Sequence, residues 1–141
     1  MGLIQNDADT VAGAISPVTT PLLESEAEYE KWIYELLHER FPHEVFHRQY
    51  TKAKTKADIF VEFRLGGAAV VVEVKYKLTS RGEFHRLIGQ SWEYLHLWKS
   101  ELVVCICGDS DPALVKLANE ATRMLVPALS KARVLHMPPG R

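Results

Sequence analysis

Two charged residues interrupt a nearly continuous apolar stretch of the chain, VVVEVKY. They are Glu73 and Lys75, and such residues are seldom buried in a strand unless they are paired or functional. Because side chains alternate along a strand, Glu73 and Lys75 share one face while Val74 points into the core on the other. Asp58 opens the preceding strand-like run, and a hairpin between the two runs places it beside Glu73. The spacing therefore predicts a carboxylate pair with an adjacent lysine.

This grouping suits metal-assisted hydrolysis of a phosphodiester. The carboxylates of Asp58 and Glu73 and the backbone carbonyl of Val74 are ligands suited to Mg²⁺, with Mn²⁺ as a substitute. The ion activates water and neutralises charge that builds on the phosphate. Lys75 can orient or help deprotonate the attacking water and stabilise the pentacovalent phosphorus. The alternative is a buried structural ion pair between Glu73 and Lys75, with Asp58 capping its strand.

Asp58, a spacer of fourteen residues and then Glu73-Val74-Lys75 resemble the motif of the PD-(D/E)xK nuclease superfamily. That group includes archaeal Holliday junction resolvases and many repair and restriction enzymes. Ala57 stands where many members have proline. The resemblance covers residues 24 to 107. It implies an α/β, restriction-endonuclease-like core of order αβββαβ, here followed by a helix and a short strand.

The resemblance also implies further site residues. Many members use a glutamate from the first helix, a part that Glu28 or Glu35 can play. Glu28 also completes a capping box with Ser25, so a structural role stays open. Many members carry a glutamine on the next helix, followed four residues later by a tyrosine. Gln90 and Tyr94 match, and their spacing puts both on one helical face; Gln90 is expected to be catalytic and Tyr94 to contact nucleic acid.

Basic residues flank the motif although the net charge of the chain is only −1. The residues expected to contact phosphates are Lys52, Lys54, Lys56, Lys77, Arg81 and Arg86. Such contacts position the backbone without reading sequence. The expected partner is DNA, with RNA as an alternative. Cleavage is expected to be structure-selective or partner-directed, since little chain is left for base recognition. A homodimer is expected because cutting two strands needs two active sites.

The elements that must position these residues follow the order αβββαβαβ. Residues 1–22, rich in glycine and proline, are interpreted as an extended N-terminal arm, suited to a dimer interface, and 23–141 as one nuclease-like domain. Ser25 begins a helix that ends at Pro42. The other predicted elements are strands 44–50, 57–63 and 68–76, a helix over 82–99, strand 101–107, a helix over 112–129 and strand 132–137. We expect a mixed central sheet flanked by helices.

Composition narrows the class of protein. The chain is 47% hydrophobic and 25% charged, which is typical of a globular domain. No apolar run approaches the ~20 residues of a membrane span, and the first residues do not resemble a signal peptide. A cytoplasmic location is expected. Cys105 and Cys107, in the apolar run LVVCIC, are interpreted as small core residues on opposite faces of a strand.

Three functions remain open. The first is a Mg²⁺-dependent endonuclease or exonuclease. The second is a catalytically inactive nuclease-like module that binds nucleic acid or protein, and the third is a structural α/β protein with an incidental ion pair. The presence of Asp58, Glu73, Lys75 and Gln90 together favours the first, because an inactive module has no need of all four.

Overall fold

The computed structural model describes residues 7–140, and its elements follow the predicted order with one helix added at the start. The helices are α1 (Ala8–Ile15), α2 (Glu26–Arg40), α3 (Arg81–Trp92) and α4 (Pro112–Leu125), and a π-helical segment, Glu93–Leu97, continues α3. The strands are β1 (Val45–Lys52), β2 (Thr55–Glu62), β3 (Val70–Tyr76), β4 (Glu101–Cys107) and β5 (Ala132–Met137). No helix within this described range is long and apolar enough to cross a bilayer.

The five strands form one mixed sheet in the order β1-β2-β3-β4-β5. β2 pairs antiparallel with both of its neighbours, β1 and β3. β4 runs parallel to β3, and β5 runs parallel to β4; α3 and α4 supply the long crossovers that parallel neighbours require. The predicted mixed α/β sheet flanked by helices is confirmed, with β3 at its centre.

Helices cover both faces of the central strands. Val72 and Val74 of β3 pack with α1 and α2 in one core, and Val71 packs with α3 and α4 in a second core on the opposite face. This double cover explains why β3 and β4 are nearly continuous apolar runs. Glu73 and Lys75 alternate with the first pair and therefore share a face, as predicted, and this is the face covered by α3.

The N-terminal segment differs from the extended arm that was predicted. Residues Ala8–Ile15 form a helix, and Asp7 caps it by accepting a hydrogen bond from the Thr10 N–H. Four small apolar side chains at helical spacing are buried in the core: Ala8, Val11, Ala12 and Ile15. The Ala8 N–H donates to the buried Glu101 side chain at 2.8 Å. This part of the arm therefore packs on its own sheet; residues 1–6 lie outside the described residues.

The local geometry departs from the sequence-based expectation at two places. No turn was predicted between β1 and β2, which join through Ala53 and Lys54, both left-handed with φ of 51° and 68°. Such paired values suit a two-residue hairpin turn, whose usual Asn-Gly signal is missing here. The predicted continuous helix over 82–99 instead becomes π-helical at Glu93–Leu97, a geometry that recurs at functional sites.

The two cysteines of β4 are free and buried, in agreement with their interpretation as core residues. Their predicted placement on opposite faces was wrong. Residues two apart in a strand share a face, and Cys105 and Cys107 both belong to the core beneath α1 and α2.

Candidate active site

The pairing between β2 and β3 ends where the sequence motif begins. The last backbone pair joins Ile59 and Val72. Beyond it, the Val74 N–H donates to Asp58 Oδ2 at 2.8 Å. The N–H and C=O of a strand residue point toward the same neighbouring strand, so the Val74 carbonyl faces the same gap between β2 and β3. A carboxylate and a backbone carbonyl are thereby directed into one opening in the sheet.

Glu73 and Lys75 form an ion pair on the α3 side of this gap. Glu73 Oε2 lies 3.2 Å from Lys75 Nζ, and Glu73 is only 2% exposed. Lys75 Nζ also donates to Gln90 Oε1 of α3 at 3.1 Å. The ammonium group is therefore fixed between a strand and a helix. Asp58, Glu73, Lys75 and Gln90, all predicted from sequence, come together here, and we call them the motif cluster.

Tyr94 belongs beside the motif cluster but does not contact solvent. Its side chain is fully buried, and its hydroxyl lies 2.7 Å from the Lys56 carbonyl and 3.2 Å from Glu73 Oε1, donating toward both. The expectation that Tyr94 contacts nucleic acid is therefore corrected. Its i,i+4 relation to Gln90 does place both side chains against β3, where they contact Glu73 and Lys75.

The acid of α2 that is linked to the motif cluster is Glu30, through Gln49, and neither Glu28 nor Glu35, one of which was expected to join the site. Glu28 is exposed and accepts a hydrogen bond from the Glu24 N–H at 3.2 Å, and Glu28 and Glu35 line a separate surface pocket with Trp32. Glu30 is instead buried, at 5% exposure. It lies about 200° around the helix from Glu28, at roughly 100° a residue. The sequence feature that could have identified Glu30 is its position next to Tyr29, which belongs to the buried stripe of the helix.

Burial shapes the electrostatics of the two motif carboxyl groups. It raises the pKa of Asp58 to about 8, and repulsion from Glu73 acts in the same direction, while the Val74 N–H opposes it. Burial also raises the pKa of Glu73, although Lys75 and Tyr94 lower it. Two neighbouring carboxyl groups that resist ionisation are stabilised by a proton or a cation. The gap therefore favours additional positive charge.

The donor set fits a hard divalent cation. No three side chains among His, Cys, Asp and Glu in residues 7–140 are grouped so as to hold a metal ion alone. The available oxygens are those of Asp58 and the Val74 carbonyl in the gap, with the Glu73 carboxylate on its α3 side. Mg²⁺ keeps several waters and needs few protein oxygens, whereas structural zinc prefers nitrogen and sulfur ligands. These residues therefore fit Mg²⁺ or Mn²⁺ with part of its water shell.

Exposed positive charge flanks the motif cluster along the strands that carry it. All six residues expected to contact phosphates are exposed: Lys52, Lys54, Lys56, Lys77, Arg81 and Arg86. Three lie on the β1–β2 hairpin, one follows β3 and two lie in the first half of α3. Lys56 is two residues from Asp58, and Lys77 is two residues from Lys75. The hairpin is thus a basic extension of the site.

No model of a known protein family matches the chain, and no curated protein sequence matches it. Solved structures similar to the chain include Pyrococcus furiosus SfsA in complex with Ca²⁺, with 12% identity, a TM-score of 0.47 and coverage of 79% of this chain and 59% of that one. A repair endonuclease from Pyrococcus abyssi has 18% identity, a TM-score of 0.47 and coverage of 84% and 49%. The EndoMS–dsDNA2 complex has 17% identity, a TM-score of 0.52 and coverage of 88% and 49%.

The chain spans 59%, 49% and 49% of the lengths of these three proteins. Of the three, the EndoMS structure has a TM-score above 0.5, and at 17% identity the likeness is one of fold. The mixed five-stranded sheet flanked by helices is therefore an α/β fold similar to that of EndoMS.

Proposed function

We propose that this chain is a metal-dependent nuclease of the PD-(D/E)xK type that hydrolyses phosphodiester bonds of DNA. The observation that supports this proposal most directly is the position of the Lys75 ammonium group. It lies 3.2 Å from Glu73 Oε2 and 3.1 Å from Gln90 Oε1, beside the gap that Asp58 enters. A structural ion pair needs only its two members. Here the Asp58 carboxylate and the Gln90 side-chain amide also lie beside the pair, and this arrangement supports a catalytic role over a structural one.

The residues of the motif cluster have separable roles. Asp58, Glu73 and the Val74 carbonyl would hold Mg²⁺ or Mn²⁺, which supplies charge neutralisation at the phosphate and a more acidic water. Lys75 directs its ammonium group toward the attacking water or a phosphate oxygen. Gln90 fixes the position of that ammonium group from α3. The Tyr94 hydroxyl holds the other oxygen of Glu73, so both partners of the ion pair have defined orientations.

Substrate binding in this proposal relies on the phosphate backbone. The exposed basic residues beside the motif cluster neutralise phosphates without reading bases. Cleavage is therefore structure-selective or directed by a partner. The proposed assembly is a homodimer, because paired sites cut paired strands. Its interface lies outside the buried face of α1, which packs on its own sheet.

A cleavage assay with the full chain tests this function. Linear and branched DNA are incubated with Mg²⁺ or Mn²⁺, and we expect cleavage that EDTA stops. Glu73→Gln keeps the side-chain shape, and we expect it to lower the rate by about a hundredfold or more. Glu39→Gln, on an exposed position of α2, is the matched control and should cleave normally.

The other outcomes identify the alternatives. DNA binding without cleavage by the wild-type chain would favour an inactive nuclease-like module. Neither binding nor cleavage would favour a structural protein with an incidental ion pair. Full cleavage by Glu73→Gln would overturn the catalytic assignment even if the chain is a nuclease.

A further inference from the structure

Gln49 interrupts β1 at the point opposite Asp58. Its φ is 52°, a left-handed value that residues with a side chain seldom adopt within a strand. Arg48 pairs with Ile59, and Tyr50 pairs with Ala57, but Gln49 and Asp58 between them do not pair through their backbones. The distortion therefore coincides with the motif residue on the neighbouring strand.

The left-handed turn explains how two consecutive side chains reach one residue. In a regular strand, consecutive side chains point to opposite faces. Here Arg48 donates to Glu30 Oε2 from Nε at 3.1 Å and from Nη2 at 2.7 Å. Gln49 Nε2 donates to Glu30 Oε1. Both oxygens of this buried carboxylate on α2 are therefore bound from adjacent positions of β1.

The Gln49 amide also lies against Asp58. Its Nε2 is 3.5 Å from Asp58 Oδ1, the outer limit of a hydrogen bond. Asp58 Oδ2 is already bound by the Val74 N–H. Gln49 thus lies between two carboxylates, Glu30 and Asp58, and its amide donates toward both, while repulsion from Glu30 contributes to the raised pKa of Asp58. Local strain of this kind persists where the surroundings enforce it, and it clusters at functional sites.

We propose that Gln49 is a positioning residue that holds the Asp58 carboxylate ready for a divalent cation by keeping Glu30 in place beside it. The inference rests on the proposed metal-dependent function. Residues that orient metal ligands commonly change metal affinity by about ten- to a hundredfold when they are removed. Gln49 itself is exposed, so its replacement removes no core packing.

The test measures Mn²⁺ affinity without DNA, by titrating the chain and following free Mn²⁺ by electron paramagnetic resonance. Unfolding temperatures are measured for the same variants in EDTA. Gln49→Ala and Gln49→Gly both lack the amide, but glycine adopts the left-handed conformation freely and should be the more stable of the two. We expect both to bind Mn²⁺ about tenfold or more weakly than the wild type. Ala53→Gly relieves a left-handed residue in the hairpin turn and should keep wild-type affinity.

A merely structural role for Gln49 predicts a different order. Affinity would then follow stability, with Gln49→Gly close to the wild type and Gln49→Ala weakened, and that result would overturn the inference. Equal affinity in all variants would overturn it as well, while leaving the metal function in place. A wild-type chain that binds no Mn²⁺ would overturn both the metal function and this role of Gln49.

Discussion

Asp58 Oδ2 accepts a hydrogen bond from the Val74 N–H at 2.8 Å. A side chain of β2 therefore binds the backbone of β3 just beyond the last backbone pair between the two strands. The same carboxylate enters the gap that faces the Val74 carbonyl. The candidate site is thus a local interruption of sheet pairing, placed between the two cores. Glu73 and Lys75 are the residues on either side of Val74 in β3. The interruption of sheet pairing therefore brings the carboxylates and the ammonium group together without any long loop.

Lys75→Met is expected to abolish cleavage while DNA binding remains. Methionine preserves the length and packing of the side chain but removes the ammonium group that Glu73 and Gln90 hold. The cleavage rate should fall by about 10²- to 10⁴-fold, the usual contribution of a positioned proton-transfer group. Single-turnover cleavage and fluorescence anisotropy in EDTA measure the two properties. Lys116→Met, at an exposed position of α4, should retain both.

The stability of the same variant separates catalysis from a structural ion pair. Removing one partner leaves the buried Glu73 without its cation, which costs up to about 3–5 kcal/mol in buried pairs. The double variant Glu73→Gln/Lys75→Met should recover part of that stability yet stay inactive. An inactive Lys75→Met chain that is also unfolded, together with a folded and fully active double variant, would contradict the catalytic role.

Tyr94→Phe is expected to weaken catalysis and leave DNA affinity unchanged. The ring keeps its packing, but the hydroxyl no longer binds Glu73 and the Lys56 carbonyl. Removing these hydrogen bonds should lower the free energy of unfolding by about 0.5–1.5 kcal/mol and the cleavage rate by about tenfold. Tyr50→Phe serves as a control among the aromatic residues of the hairpin. A large fall in DNA affinity for Tyr94→Phe alone would restore the sequence-based expectation of nucleic-acid contact.

The stability of the metal-free chain should fall as pH rises from about 4 to 8. The pKa of Asp58 is about 8 in the folded chain against its ordinary value of 3.8, so the folded state holds a proton that the unfolded state releases. The stabilisation is complete below the lower value and is lost as pH passes the upper one. Asp58→Asn should flatten this dependence, with the raised pKa of Glu73 leaving a residual slope in the same direction.

Thermal unfolding in EDTA between pH 5 and 8 measures this effect. Asp109→Asn, an exposed acid after β4, is the control and should follow the wild-type curve. Equal slopes for the wild type and Asp58→Asn would show that Asp58 ionises normally in the folded chain.

Sequence patterns predicted the features that depend on periodicity. The alternation in VVVEVKY placed Glu73 and Lys75 on one face, and the spacing to Asp58 anticipated its place on the neighbouring strand. The i,i+4 spacing of Gln90 and Tyr94 anticipated that both side chains lie on one face of the helix. These relationships follow from strand and helix geometry, which neighbouring residues determine.

The features that were missed depend on tertiary contacts or on unusual backbone. Glu30 was passed over because a helical glutamate is ordinarily solvated, and only the approach of β1 shows that Arg48 and Gln49 bind it. The left-handed conformation of Gln49 has no signal in its residue type. Helix α1 was missed because it has only eight residues and two of the four in its buried stripe are alanines, which give a weak apolar signal; burial against the sheet stabilises so short a helix.

Replacing the three lysines of the β1–β2 hairpin by alanine is expected to lower the affinity for DNA and to make that affinity less dependent on salt concentration. Lys52, Lys54 and Lys56 are exposed on the strands and turn that lead to Asp58. Each phosphate that is no longer neutralised should reduce the slope of log affinity against log salt by about 0.9 for duplex DNA, so about 2–3 for all three. Anisotropy titrations in EDTA at several salt concentrations measure it. The triple variant of Lys31, Lys99 and Lys116, exposed elsewhere, controls for net charge; an equal weakening in both triple variants would show that the hairpin has no special place in binding.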